Sequence, residues 1–162
     1  MQTSQAGIDL IKHFTGCRLK SYADPLTGGD PWTIGWGATG PDIKPGTVWT
    51  QEQADARLLE HLAEFEELVH KHVTHSLTQG QFDAFVSLIY NVGPGGKNRD
   101  GIIRLKSGMP STLLRKFNAG DIQGAEEQWT KWISPGSNVE KALLRRRLAE
   151  LAMFRGENGP AT

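Results

Sequence analysis

Apolar positions recur at helical spacing from the start of the chain: Ile8, Ile11 and Phe14 stand three residues apart, with Leu10 beside them. That spacing predicts a short amphipathic helix over Ala6–Phe14. Ser4 suits its N-cap, and Gly16 marks where it should end. The pattern then changes. Asp24-Pro25-Leu26-Thr27-Gly28-Gly29-Asp30-Pro31 is turn material, and Trp32-Thr33-Ile34-Gly35-Trp36-Gly37 alternates like a strand weakened by glycine. A small glycine-rich β-lobe over roughly residues 17–48 is expected.

Thr50 and Gln53 form a capping-box pair that opens a helix running to about His72. It carries Leu58, Leu62, Phe65 and Leu68 or Val69 on one stripe, with its acids opposite. Such a helix spans roughly 30 Å, enough to link two lobes. Thr78 and Gln81 repeat the signature. Phe82, Phe85, Val86, Leu88, Ile89 and Val92 follow, apolar almost all round, which predicts a buried central helix. Gly93, Pro94, Gly95 and Gly96 make a flexible loop of 91–101. Further helices start near Ser111, Asp121 and Ser137. The last is expected to use a Ser137–Glu140 capping box and to keep Leu144, Leu148 and Leu151 or Ala152 on one face.

The fold class is therefore α+β, a single domain over 1–162. A small N-terminal lobe covers about 15–50, a connecting helix 51–72, and a larger all-helical lobe about 73–156, packed with the first helix, 4–14. A cleft between two such lobes is the default binding site. The last six residues are expected to be disordered.

Composition narrows the function classes. A chain of 162 residues suits one compact domain, and five Trp and six Phe supply bulky core material. With 18 basic against 18 acidic side chains the net charge is zero, which argues against a generic nucleic-acid partner. The single cysteine, Cys17, excludes an internal disulfide and a Cys-rich zinc site. No long apolar run and no charged, apolar leader occurs, so neither a signal peptide nor a membrane anchor is expected. The neutrality is uneven. Glu52 to Glu67 holds six acids against Arg57, whereas Lys97 to Lys116 holds six bases against Asp100, and Lys141 to Arg155 adds more. A polarised molecule and ordinary solvated helix faces both remain open readings.

Tyr22-Ala23-Asp24 followed by Trp32-Thr33-Ile34-Gly35-Trp36-Gly37 resembles the active-site hairpin of phage-type lysozymes, the T4-lysozyme-like endolysins of glycoside hydrolase family 24. The resemblance covers nearly the whole chain. Leu77 to Ala84 and Tyr90-Asn91-Val92-Gly93 are similar to the family's central helix. Ser111 to Leu114, Trp132 and Arg146 to Glu150 are similar to its C-terminal landmarks. The resemblance implies a two-lobed lysozyme fold and hydrolysis of the β-1,4 bond between N-acetylmuramic acid and N-acetylglucosamine in peptidoglycan. It implies no metal and no cofactor, a peptidoglycan glycan strand as partner, and a monomer. It also implies accumulation in the host cytoplasm, with action on the wall after a holin-type membrane lesion.

The reaction needs one group to protonate the leaving oxygen and a second carboxylate to stabilise the oxocarbenium-like state or activate water. By resemblance the second carboxylate is Asp24, and Thr33 supplies a hydroxyl that helps hold the attacking water. The family's general-acid glutamate falls on Thr15, in Phe14-Thr15-Gly16-Cys17-Arg18-Leu19. Threonine has no proton to give at neutral pH. Three accounts of Thr15 stay open: an engineered change, a natural relative that lost catalysis and kept glycan binding, and a different acid, with Asp30 on the hairpin to consider. A Thr15 hydroxyl that positions water would also allow a slower, altered route using Asp24 as nucleophile. The alternative class is thus a non-catalytic peptidoglycan-binding homologue.

Other residues carry two readings each. Asp24 before proline is also a turn former, and Thr33 an ordinary strand residue. Ala38 replaces the histidine that many relatives carry. Arg145, Arg146 and Arg147 either face the acid site or are surface charges near a helix end. His70, His72 and His75 lack metal-ligand spacing, and Cys17 reads as a structural thiol. Trp32, Trp36 and Trp49 are placed to stack on sugar, with Trp32 and Trp36 the first candidates, while Trp129 and Trp132 belong to the helical lobe.

Overall fold

The computed structural model describes residues 1–25 and 27–157. The expected disordered tail therefore lies outside the described residues apart from Glu157, as does Leu26 of the turn. The elements in chain order are α1 (Gln5–Thr15), β1 (Arg18–Tyr22), β2 (Thr33–Gly35), α2 (Gln51–His72), α3 (Gln79–Val92), α4 (Thr112–Asn118), α5 (Ile122–Trp129) and α6 (Glu140–Phe154). The chain divides into two compact units, Ile11–Ala63 and Met1–Leu10 with Glu64–Thr162, so α1 and α2 each contribute residues to both.

In the unit Ile11–Ala63, β1 and β2 are antiparallel, with Arg18 opposite Gly35 and Tyr22 opposite Thr33. Four steps along β1 thus match two along β2, and the extra residues form a bulge. The other edge of β1 is covered by 47–49, where Ser21 N–H donates to Thr47 O (2.9 Å) and Trp49 N–H to Leu19 O (2.8 Å). The strand expected over Trp32–Gly37 is shorter, because the chain reverses at once. Gly35 and Gly37 adopt φ of 64° and 85°, a left-handed region that glycine enters without strain, and Ile34 and Ala38 close the turn with paired hydrogen bonds of 3.0 and 2.8 Å. The core here is Ile34, Ala38 and Ile43, with Trp32 and Trp49 packed against it. The capping box of α2 is realised: Gln53 N–H donates to Thr50 Oγ1 (3.1 Å) and Thr50 N–H to Gln53 Oε1 (2.8 Å).

The second unit is built on α3, whose residues Phe82 to Ile89 are all buried and whose N-terminus carries the Thr78–Gln81 capping box. Phe85 meets Phe117 and Trp129 edge-on, with ring centroids 5.0 and 5.2 Å apart, and Phe154 lies 5.1 Å from Trp129. The first turn of α3 meets the end of α6 so closely that a Cβ on Gly80 would stand 2.2 Å from the Met153 carbonyl oxygen. That oxygen is backbone and cannot swing aside. Gly80→Ala should therefore destabilise the fold by about 1–3 kcal/mol despite alanine's better helix propensity. Urea unfolding that showed no loss would contradict this packing of α3 on α6.

Helix α6 departs from expectation twice. It begins at Glu140 after Val139 with no side-chain cap. Ser137 Oγ instead accepts the Val139 N–H (3.3 Å), and Glu140 Oε2 accepts the Gly136 N–H (3.3 Å). Its apolar face is also not Leu144 and Leu148, which are 36% and 52% exposed. The buried stripe is Arg146, Arg147, Glu150, Leu151 and Phe154. The charges can lie inside because both guanidiniums pair with the Glu150 carboxylate there.

Candidate active site

Thr15 is the last residue of α1, half-buried, and Gly16 ends the helix behind it with φ of 73°. Its Cγ2 lies 3.3 Å from the point where a Cβ on Gly37 would stand, so the threonine methyl rests on the β2 turn. Asp24, also half-buried, follows β1 by two residues. Its N–H donates to Gly29 O (2.9 Å), its carbonyl accepts the Gly28 N–H (2.8 Å), and Oδ1 accepts the Thr27 N–H (3.3 Å). The turn-forming reading of Asp24 is therefore realised, yet a carboxylate has about four lone-pair directions, so the catalytic reading is compatible with it. Thr33 opens β2 opposite Tyr22, and its hydroxyl donates to Pro31 O (3.3 Å).

Asp24 and Thr33 thus flank the same end of the hairpin, while Thr15 meets the other end through Gly37. All three belong to the unit Ile11–Ala63. Asp30, the other acid of the hairpin, is exposed.

The tryptophans are engaged more locally than the sequence suggested. Trp32 packs on the Ile34–Ala38–Ile43 core, as does Trp49, which Arg57 overlies at 5.6 Å. Trp36 donates its indole N–H to Asp55 Oδ1 (2.7 Å), and Lys12 Nζ stands 5.1 Å from its ring centroid. Gln51 Nε2 reaches the same carboxylate (3.0 Å), as does Lys12 at 3.8 Å. Sequence reasoning missed Asp55, Gln51 and Lys12. The one available signal was the helical i, i+4 spacing of Gln51 and Asp55.

The Trp36 hydrogen bond, then that of Gln51, then the Lys12 charge hold the Asp55 carboxyl below the usual aspartate range, against the opposing effect of burial. A depressed carboxylate pKa contributes stability above its unfolded value, and that stability disappears as pH falls through the folded value. The melting-temperature gap between this chain and Asp55→Asn should therefore be present near neutral pH and close in acid. A gap that persisted unchanged to strongly acid pH would refute the assignment.

Arg146 and Arg147 are not surface charges: they are 4% and 0% exposed. Glu150, 0% exposed, accepts from Ser87 Oγ (2.5 Å), Trp129 Nε1 (3.1 Å), Arg146 Nε (3.3 Å) and Arg147 Nη2 (3.0 Å). Arg147 Nε lies 2.6 Å from Oε1, a charge contact whose N–H does not line up as a hydrogen bond. Burial pulls the Arg146 guanidinium below its usual pKa, and Glu150 opposes that pull. Near this network a recess of about 430 Å³ is lined by Asn91, Arg99, Asp100, Lys131, Trp132 and Ser134, among others.

Among the described residues no group of three His, Cys, Asp or Glu side chains is placed to hold a metal ion, and no helix is long and apolar enough to cross a membrane. His70 stacks on Phe82 and lies 2.7 Å from Met1 O, while His75 meets Phe117 edge-on. Cys17 is half-buried, with Gln51 Nε2 3.8 Å from its sulfur.

Residues 12–150 match the family model described as phage lysozyme. The chain is 42% identical over 154 residues to an endolysin of Bacillus phage B103, covering 95% of this chain and 54% of that protein. It is 37% identical over 158 residues to an endolysin of Acyrthosiphon pisum secondary endosymbiont phage 1, covering 95% and 98%. Among solved structures, the muramidase domain of SpmX from Asticaccaulis excentricus matches with a TM-score of 0.76 at 34% identity, over 94% of this chain and 97% of that one. The chain thus spans about half the length of the first relative and nearly all of the second.

Proposed function

The chain belongs to the phage lysozyme family and has its α+β lysozyme fold, and from that premise we propose that its site is built for endolysin-type cleavage of peptidoglycan. The bond attacked is the β-1,4 link between N-acetylmuramic acid and N-acetylglucosamine. Asp24 is the carboxylate that stabilises positive charge at the sugar carbon, and Thr33 holds the attacking water. Residue 15 stands where the leaving oxygen is protonated. The observation that carries this reading is the hairpin itself, which places Asp24 and Thr33 at one end and packs residue 15 on its turn.

Thr15 cannot protonate the leaving sugar, because a hydroxyl does not release its proton at neutral pH. This chain is therefore a silenced or mechanism-altered form: it binds the glycan strand, as a monomer and without a cofactor, and cleaves it far more slowly than a carboxyl-bearing form. In its biological setting it collects in the host cytoplasm and reaches the wall through a holin-type lesion. The second reading, a dedicated glycan-binding homologue, is favoured by Thr15 alone.

Mass spectrometry of purified peptidoglycan after incubation separates the two. Thr15→Glu should release muropeptides with reducing-end N-acetylmuramic acid, while the unaltered chain co-sediments with the wall and releases few. Binding by both proteins with cleavage by neither would leave only the glycan-binding reading. Absence of binding as well as cleavage would remove both.

A further inference from the structure

We propose that Trp36 and Asp55 form a positioning clamp for residue 15: their hydrogen bond holds the Gly35–Gly37 turn against α1 and α2, and so sets where the side chain at position 15 is presented relative to the hairpin. The role is one of positioning and rests on the muramidase reading above. It assigns Trp36 to this clamp, where the sequence pointed to sugar stacking.

The turn has little stiffness of its own. Ile34 and Ala38 close a three-residue loop in which two residues are glycines with positive φ, the residue type with most backbone freedom. Its middle residue is tied outward, since the Trp36 indole N–H meets Asp55 Oδ1 on α2 at 2.7 Å. Gln51, one helical turn earlier on α2, steadies the same oxygen at 3.0 Å. From α1, Lys12 reaches that carboxylate at 3.8 Å and lies 5.1 Å from the Trp36 ring centroid. Lys12 is three residues before Thr15, whose methyl rests on Gly37. The contacts therefore close a loop: α2 to the turn, the turn to Thr15, and α1 back to α2 through Lys12. Loss of one link leaves the helix and the hairpin folded but frees the turn against which residue 15 is indexed. Misplacement of a reacting group by about 1 Å costs roughly 10²-fold in rate.

Two variants break the link and one preserves it. Trp36→Phe removes the N–H while keeping a ring, and Asp55→Ala removes the acceptor. Asp55→Asn keeps an oxygen for the indole. In the Thr15→Glu background, assayed on purified peptidoglycan well below each melting temperature, the first two should lower kcat roughly 10–100-fold with KM within about twofold. Asp55→Asn should recover most of that loss. A raised KM with kcat intact in Trp36→Phe would mean that the ring acts on the sugar, and the clamp would be overturned. So would an unchanged kcat in Asp55→Ala.

A second readout needs no catalysis. In the otherwise unaltered chain, the backbone amide resonances of Thr15 and Gly37 should move in Trp36→Phe and Asp55→Ala and stay close to their parent positions in Asp55→Asn. Amides unmoved in all three variants would overturn the clamp. If Thr15→Glu itself fails to cleave, the muramidase reading falls while the resonances still decide the clamp.

Discussion

Replacing Thr15 by glutamate is expected to raise the rate at which the chain solubilises peptidoglycan by roughly 10²–10⁴-fold, the contribution of a positioned general acid. The position is suited to the task. Residue 15 closes α1, and the C-terminal end of a helix carries partial negative charge that favours the protonated form of a carboxyl group. A glutamate keeps its Cβ where the threonine has one, beside Gly37, and extends a carboxyl beyond it. Activity of the variant should fall at high pH as the introduced carboxyl loses its proton. Adding Asp24→Asn should return the rate to that of the unaltered chain. Turbidity of outer-membrane-permeabilised bacteria reads all three proteins. If Thr15→Glu clears the suspension no faster than its parent, the family mechanism does not operate here. If the parent already clears it as fast, another acid is at work, and exposed Asp30 becomes the residue to mutate.

Local signals were legible wherever a few neighbouring side chains decide the structure. The capping boxes at Thr50 and Thr78 form with both hydrogen bonds, and α2 ends at His72 as its apolar stripe predicted. Ser4 likewise caps α1, accepting the Gly7 N–H at 3.2 Å. What stayed hidden depends on partners far away in sequence. Strand β1 carries exposed Arg18, Leu19 and Lys20, with no alternation to announce it, because its bulge disrupts the pleat against β2. The Ser137 box had the right residue types, yet the chain enters α6 only at Glu140. The clamp joins residues 19 positions apart and uses a tryptophan edge, which no periodicity reveals. The candidate site was legible only through the resemblance of ordered motifs. A threonine at the end of a helix has no chemical signature, and Thr15 draws notice only because the family pattern leads one to look for an acid.

The largest loss of stability is expected at Glu150. Sequence rules put α6's charges outside, since Arg and Glu are almost never fully buried unless paired. Here they are paired, but unequally, with two guanidiniums on one carboxylate. Both buried guanidiniums therefore share the Glu150 carboxylate. Glu150→Gln keeps the shape and one acceptor oxygen, enough for either Ser87 or Trp129, and puts an amide donor in place of the other, so it removes the charge together with one acceptor. It should cost roughly 3–5 kcal/mol, because removing one partner leaves buried charge uncompensated. That is a large share of the 5–15 kcal/mol or so by which such domains are stable. Arg147→Met alone leaves a neutral Arg146–Glu150 pair and should cost less. Combined with Glu150→Gln it should recover part of the loss, since one of the two cations that shared the carboxylate is then gone. Urea unfolding of the three variants tests this order. A Glu150→Gln protein within about 1 kcal/mol of its parent would show that the two guanidiniums do not depend on the Glu150 charge.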